Sequence, residues 1–427
     1  MEYRQAAARM LEFIEKSPTC FHAVENAKKM LEAHGYQEWK ETDEWEASYG
    51  GKYYTVRNGS SIAAFSIPEA KQVKGFHLVA SHSDSPTFKV KEVPEMSVEK
   101  QYVKLNTEKY GGMILSTWMD RALSVAGRLV VKGEQGLESK LVNLDRDLLV
   151  IPNLAIHMNR EINDGVKYNA QVDMLPLMAC GEEGAGCKLL SLAAAEAGVA
   201  EEEILGHELY LYPREKGRFL GAGEELILSP RLDDLQSAYA SLEAMVESTP
   251  KEYINVCVIF DNEEVGSSTK QGADSTFLED AMIRCCEALG ISQGNYRRLV
   301  AGSFLISADN AHAVHPNHPE KADPTNRPYL NGGIVIKFHG SQKYTSDAFS
   351  GARMKDLCNR AGVPYQTFAN RSDAMGGSTL GNISTAHVSV SSVDIGLPQL
   401  SMHSAVETGG TKDTLYCIKA LQEFYSE

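Results

Sequence analysis

Five short segments hold most of the residues in this chain whose types and spacing could do metal or acid–base chemistry. They are His82-Ser83-Asp84, Arg231-Leu232-Asp233-Asp234, Asp261-Asn262-Glu263-Glu264, Ser307-Ala308-Asp309-Asn310-Ala311-His312 and Met402-His403-Ser404. His82 closes an apolar run, and an imidazole placed there projects into the crevice beyond a strand's carboxyl end, where open α/β sheets bind ligands. Asp84 could receive the other ring N–H and fix the tautomer. Alone, a His-x-Asp reads more simply as two residues of a surface turn, and Asp233-Asp234 as acids capping a helix and meeting its dipole. The third segment resists such readings. Asp261, Glu263 and Glu264 crowd the end of Val256–Phe260 with no adjacent Lys or Arg, and like charges that close need a compensating cation or a shared proton. A metal ion is a natural compensating cation. Two histidines and three carboxylates at one sheet edge can build a two-metal site, one carboxylate bridging ions about 3.5–4 Å apart. The spare member of Glu263-Glu264 is then a candidate general base for an attacking water.

Strands must present these groups. Gly75–Ala80, Ile254–Phe260, Phe304–Ser307, Gly333–Phe338 and Val388–Ile395 are short, largely apolar runs of the kind buried in a parallel or mixed sheet. Helical patterns at Asp234–Val246 and Asp280–Leu289 lie between them, so strand and helix alternate as in an α/β sandwich. Met10, Leu11, Phe13 and Ile14 recur at helical spacing. Ser17-Pro18-Thr19 offers a fresh N-cap before Phe21–Leu31, which Gly35 can end. Tyr53–Val56 and Ile62–Phe65 flank Asn58-Gly59 and predict a hairpin. From about Glu92 to Leu228 the pattern changes. Lys140–Pro152, His207–Tyr212 and Glu224–Leu228 read as strands, with Lys188–Ala197 a helix among them, which predicts a β-rich domain inserted into the first.

The 427 residues carry 42 Lys+Arg against 57 Asp+Glu, a net charge of −15, with no basic run longer than a pair. Such a chain repels a phosphate backbone, so nucleic acid is excluded as a partner. No apolar stretch approaches the roughly 18–20 residues of a membrane span. Met1–Ile14 lacks the basic start and apolar middle of a secretory signal, so a cytoplasmic location is expected. Eight scattered cysteines with no C-x-x-C pair read as reduced core thiols. Phosphate-loop, dinucleotide, H-E-x-x-H and G-x-S-x-G motifs are all absent. Gly376-Gly377 reads either as a tight turn or as a backbone wall beside a substrate chain.

In order, His82-Ser83-Asp84-Ser85-Pro86, Ser229-Pro230-Arg231-Leu232-Asp233-Asp234, Asp261-Asn262-Glu263-Glu264-Val265-Gly266-Ser267, Ser307–Asn317 and Pro398–Ser404 resemble the motifs of the aspartyl aminopeptidase family. Tyr110-Gly111-Gly112, Thr117–Arg121 and Ile151–Arg160 match as well, so the resemblance covers nearly the whole chain. It implies a three-layer α/β/α catalytic domain with a mixed sheet over 1–91 and 229–427, and an inserted β-rich dimerisation domain over 92–228. It also implies a dinuclear zinc aminopeptidase that removes one N-terminal residue from a peptide. Asp233 would bridge the metals, Glu264 and His403 would hold one ion, and His82 and Asp309 the other. Glu263 would be the general base and Asp84 would orient His82. His157 would enter a neighbouring subunit's site and stabilise the tetrahedral oxyanion. Relatives assemble as homodimers that form tetrahedral homododecamers, which limits substrates to short or unfolded peptides.

Lys337, inside Ile334–Phe338, reads either as an outward-facing lysine or as a buried ammonium in need of an anion. The resemblance favours the second and makes that anion an N-terminal Asp or Glu side chain, with His312, Tyr344, Gly376 and Gly377 as further substrate contacts. Two departures from the family stand out: Asp234 occupies a position that commonly holds Asn, and Met375-Gly376-Gly377-Ser378-Thr379 differs in detail. The alternatives are a broad-specificity or leucine-preferring aminopeptidase of the same architecture, a non-catalytic shell-forming scaffold, and an amide hydrolase of small metabolites. Co2+ and Mn2+ suit the His and carboxylate donors as Zn2+ does.

Overall fold

The computed structural model describes every residue except Gln135, Ala185 and Met375, and the side chains of Glu182 and Glu183. The chain forms two compact units, one of Met1–Asp84, Gly217–Met402 and Glu407–Glu427, the other of Ser85–Lys216 and His403–Val406. The strand Thr87–Val98 runs unbroken across the expected junction at 91/92 and belongs wholly to the second unit.

The first unit is built on a nine-stranded mixed sheet. Tyr253–Phe260, Gly75–His82, Phe304–Ala308 and Ser391–Gly396 run parallel at its centre. Lys52–Arg57 and Ser61–Ser66 form the predicted hairpin around Asn58 and Gly59, both at positive φ. The central strands read as continuous apolar runs because both faces are covered. Leu78 and Ala80 enter a core with Val256, Val258 and the helix Phe277–Ala288, while Val79, Cys257 and Ile259 enter another with Leu235, Leu242, Leu421 and Phe424. Helices Glu2–Glu15, Cys20–Ala33, Leu232–Val246, Ala348–Ala361 and Asp413–Tyr425 contribute buried residues to the second core, giving the α/β/α layers. Val388 to Val390, expected at the start of a strand, lie outside it, since Val388 caps the helix Leu380–His387 and the strand opens at Ser391. A five-stranded sheet adds Glu407–Gly410, Pro398–Leu400 and Ala311–His312.

The burial of this sheet sets an acid limit on stability. His77 is buried with its ring 3.8 Å from that of Tyr253 and 4.3 Å from that of Phe424. Burial, and after it the Arg353 guanidinium, pushes its pKa down from 6.5 to about 3. Burial and then the charge of Arg231 push His22 down to about 4. Between those values and 6.5 the unfolded chain binds protons that the folded chain refuses, so stability rises with pH across that window. The contribution is full above pH 6.5 and is lost as the pH falls through the folded values. Between pH 7 and pH 4, His77→Phe, which keeps a ring in the stack, should therefore lose less unfolding free energy in urea titrations than the wild type does, by on the order of 2 kcal/mol.

The second unit is a six-stranded antiparallel sheet ordered Gly136–Asn143, Leu123–Gly133, Ile204–Pro213, Thr87–Val98, Tyr102–Tyr110 and Leu177–Cys180. Phe88, Leu105, Trp118, Leu129, Leu209 and Leu211 fill its core. The strand expected over Lys140–Pro152 stops at Asn143, whose side-chain oxygen accepts from Asp145 N at 3.2 Å and turns the chain. Arg214 holds that turn through Asp145 and Asp147. No helix among the described residues is long and apolar enough to cross a membrane.

Candidate metal centre

The parallel strands bring three of the five segments to one edge of the nine-stranded sheet. His82 ends the central strand and pairs in register with Phe260, so Asp261–Glu264 begin beside it. Phe304–Ala308 lies on its other side and delivers Asp309. Asp233 comes from the amino end of the helix Leu232–Val246, where Glu407 accepts its backbone N–H at 3.1 Å.

His82 is 1% exposed. Its Nδ1 lies 3.0 Å from the Asp84 backbone carbonyl and 3.4 Å from the Asp84 carboxylate, while Nε2 faces Asp233 Oδ1 at 3.5 Å. Its backbone N–H donates to Asp234 Oδ2 at 3.2 Å. The two Asp84 carboxylate oxygens also accept the backbone N–H groups of Glu263 and Glu264, each at 3.1 Å. One aspartate thus sets the histidine and both glutamates. Ligand atoms of His82, Asp233 and Asp309 lie within 4.8 Å of one another, as do those of His82, Glu263 and Glu264.

The electrostatics of this corner are those of a site short of positive charge. Burial, opposed by the charge of His82 and reinforced by Asp309, Glu264 and Asp84, pushes the Glu263 carboxyl up to about 9. Burial also lifts Asp234 well above the carboxylate range and raises Asp309, which Lys337 partly relieves. Burial works against the His82 imidazolium, yet hydrogen bonds to Asp233 and Asp84 hold its pKa well above the ordinary value. One histidine cannot neutralise this many buried carboxylates. Imidazole and carboxylate donors within a few ångströms of one another fit a divalent cation of the zinc, cobalt or manganese type.

Lys337 is buried, which decides between its two readings. The anion it faces belongs to this chain: Nζ lies 3.9 Å from Asp309 Oδ1, donates to the Asn310 carbonyl at 2.9 Å and sits 5.5 Å from the Tyr344 ring centre. Tyr344 is buried beside Phe368, and the His312 ring lies 6.3 Å from that of Phe368. The Gly376 carbonyl accepts from Lys343 at 2.9 Å, and a Cβ at Gly376 would strike the Asn370 amide, whereas Gly377 has open space. Met375 lies outside the described residues. In the second unit, His403 Nδ1 stands 2.7 Å from the Gly112 carbonyl, and His157 is exposed in a turn.

Several residues that shape this corner were not singled out from the sequence. Asn310, itself buried, donates to Gln399, Gln236 and the Leu232 carbonyl and accepts from Ser237. Gln399 in turn donates to Glu407. Asp394 accepts from Thr345 and Thr379 and so ties together the segments bearing Tyr344 and Gly377. Its signal was available, since an acid inside the apolar run Val393-Asp394-Ile395 needs buried donors. Glu407, in Glu-Thr-Gly-Gly, offered none.

The family model described as aminopeptidase I zinc metalloprotease (M18) matches residues 13–425. A probable M18 family aminopeptidase 2 of Clostridium novyi is 49% identical over 98% of both chains. Among solved structures, Ape4 in its complex with Nbr1 superposes with a TM-score of 0.96 at 37% identity, over 99% of this chain and 86% of that one. The S. cerevisiae mApe1 dodecamer gives 0.87 at 28%, over 100% and 97%. A zinc-type donor set at the carboxyl edge of an α/β/α sheet and a full-length match converge on one assignment: the chain belongs to the M18 family of zinc metalloproteases, the aminopeptidases.

Proposed function

We propose that this protein is a dinuclear zinc aminopeptidase that removes an N-terminal Asp or Glu from peptides. The observation that carries the reading is the convergence of His82, Asp233, Asp309, Glu263 and Glu264 on a few ångströms of one sheet edge, where burial raises the carboxyl pKa values of Glu263 and Asp309. His82 and Asp309 would hold one ion, Glu264 and His403 the other, and Asp233 would be shared between them. Zinc there supplies a lowered pKa for a water and polarisation of the scissile carbonyl. Glu263 takes the water's proton and hands it to the leaving amine. The pKa of about 9 given to Glu263 by burial falls once cationic charge is beside it, leaving the carboxylate free to accept a proton. Asp84 keeps His82, Glu263 and Glu264 in register.

His157 acts in a neighbouring subunit, where it stabilises the oxyanion. Its own surroundings support this: His157 is exposed, and so are Leu154, Ile156 and Met158 beside it, a cluster that suits a protein contact. The mApe1 relative is a dodecamer, and we read this chain as forming homodimers that assemble into a tetrahedral homododecamer. None of its eight cysteines forms a disulfide, which supports a reducing, cytoplasmic setting.

Acidic preference rests on Lys337. With Asp309 engaged as a metal ligand, Lys337, with His312, Tyr344, Gly376 and Gly377 around the pocket, would be left to meet a substrate carboxylate. Because the ammonium already has Asp309 and the Asn310 carbonyl as partners, a neutral-preferring enzyme of the same mechanism is the second reading. Aspartyl-, glutamyl- and leucyl-p-nitroanilide, assayed after chelation and after zinc, cobalt or manganese is returned, separate the two. Lys337→Met should cost aspartyl substrate about 10- to 100-fold in kcat/KM and leucyl substrate far less, the worth of one charged hydrogen bond. Equal losses on both would remove the acidic preference, and metal uptake without turnover of any substrate would remove the aminopeptidase reading.

A further inference from the structure

Gly136–Asn143 is the outermost strand of the six-stranded sheet, paired on one side to Leu123–Gly133, and Gly136 through Leu141 are all exposed. An exposed edge is a template for another strand, and proteins that must stay apart place charges, lysine above all, or proline on it. This edge carries one charge of each sign, spaced so that a copy of itself would pair them. Its central sequence, Leu137-Glu138-Ser139-Lys140-Leu141, is self-complementary about Ser139. Run antiparallel to a copy of itself with Ser139 opposite Ser139, every Glu138 meets a Lys140 and every Leu137 meets a Leu141. Side chains alternate along a strand, so the two ion pairs fall on one face and the leucines on the other. Leu137 is 72% exposed and Leu141 38%, an apolar surface that a second copy would cover. Within one chain Glu138 and Lys140 lie 3.9 Å apart, and the same pair of charges is available to a twofold partner.

We propose that Gly136–Asn143 pairs antiparallel with the same strand of a second copy, joining two six-stranded sheets across a twofold axis centred on Ser139. The proposal rests on the homo-oligomer reading above and names a contact that builds it. Directly opposed charges in antiparallel strands attract when unlike and repel when like, so the contact has a charge-swap signature. Glu138 and Lys140 are themselves exposed but lie opposite the core residues Val131 and Leu129 on the neighbouring strand, so the double variant, which carries both changes, also controls for damage to the fold.

The experiment is sedimentation velocity and native mass spectrometry of the intact zinc-loaded protein as wild type, Glu138→Lys, Lys140→Glu and the double variant Glu138→Lys/Lys140→Glu. Each single change sets like charges opposite each other and should weaken assembly about tenfold or more, producing smaller species at micromolar concentration. The double change restores unlike pairs and should return the wild-type mass. An oligomeric wild type whose mass neither single change shifts would overturn the strand pairing and leave the oligomer reading standing. A monomeric wild type would overturn both.

Discussion

Glu263→Gln should lower kcat by about 10²- to 10⁴-fold, the usual worth of a positioned general base, while zinc content stays at the wild-type level. The amide has the carboxylate's size, so the turn Glu263–Val265 keeps its place, and Asp84 continues to accept the backbone N–H groups of residues 263 and 264. What disappears is a group able to take a proton from water and return it to the amine. KM should change little, because the ligands assigned to the metals and the pocket are other residues. Metal analysis of the purified variant, with kcat and KM on aspartyl-p-nitroanilide, checks this. A loss below tenfold would remove Glu263 from the proton-transfer role, and a loss of zinc in parallel would make it a ligand instead.

The edge that gathers the candidate metal ligands was legible because chemistry and pattern coincide there. Each of His82, Asp261–Glu264 and Asp309 follows an apolar run buried on both faces, and a strand of that kind has few ways to end in charged residues without a purpose. The second unit was less legible. Thr87–Val98 alternates Phe88 and Val90, buried, with Lys89 and Lys91, half-buried, so only half of each strand carries an apolar signal and the period is easily lost among polar residues. Leu123–Gly133 is more apolar, but Gly127, at φ +156, interrupts its reading as a strand.

The supports of the site were the least legible part. Asn310, Gln399, Gln236 and Glu407 come from four separate places in the chain and meet only in the fold. Nothing local marks a glutamine on a helix as a partner for a distant asparagine. Lys337 shows the same limit from the other direction: its burial was one of two readings of an apolar strand, but its pairing with Asp309 follows from the adjacency of Ser391–Gly396 to both Phe304–Ala308 and Ile334–Phe338.

Asp84 is where position matters most, and its removal should separate metal holding from proton transfer. Asp84→Ala takes away the carboxylate facing His82 Nδ1 and both acceptors of the Glu263 and Glu264 backbone N–H groups. Loss of an outer partner to a metal-ligating histidine weakens metal binding about 10- to 100-fold. The part-buried N–H groups left without that acceptor, each costing at most the roughly 1–3 kcal/mol of a fully buried donor, should let the Glu263–Val265 turn move. Zinc titration against a chelator should therefore show weaker binding, and at saturating zinc kcat should stay well below wild type because Glu263 is no longer held. Asp84→Asn, whose single oxygen can still accept one of the two N–H groups, should fall between. If excess zinc restored Asp84→Ala to full kcat, Asp84 would be only a support for His82, and the placing of Glu263 would belong to the turn itself.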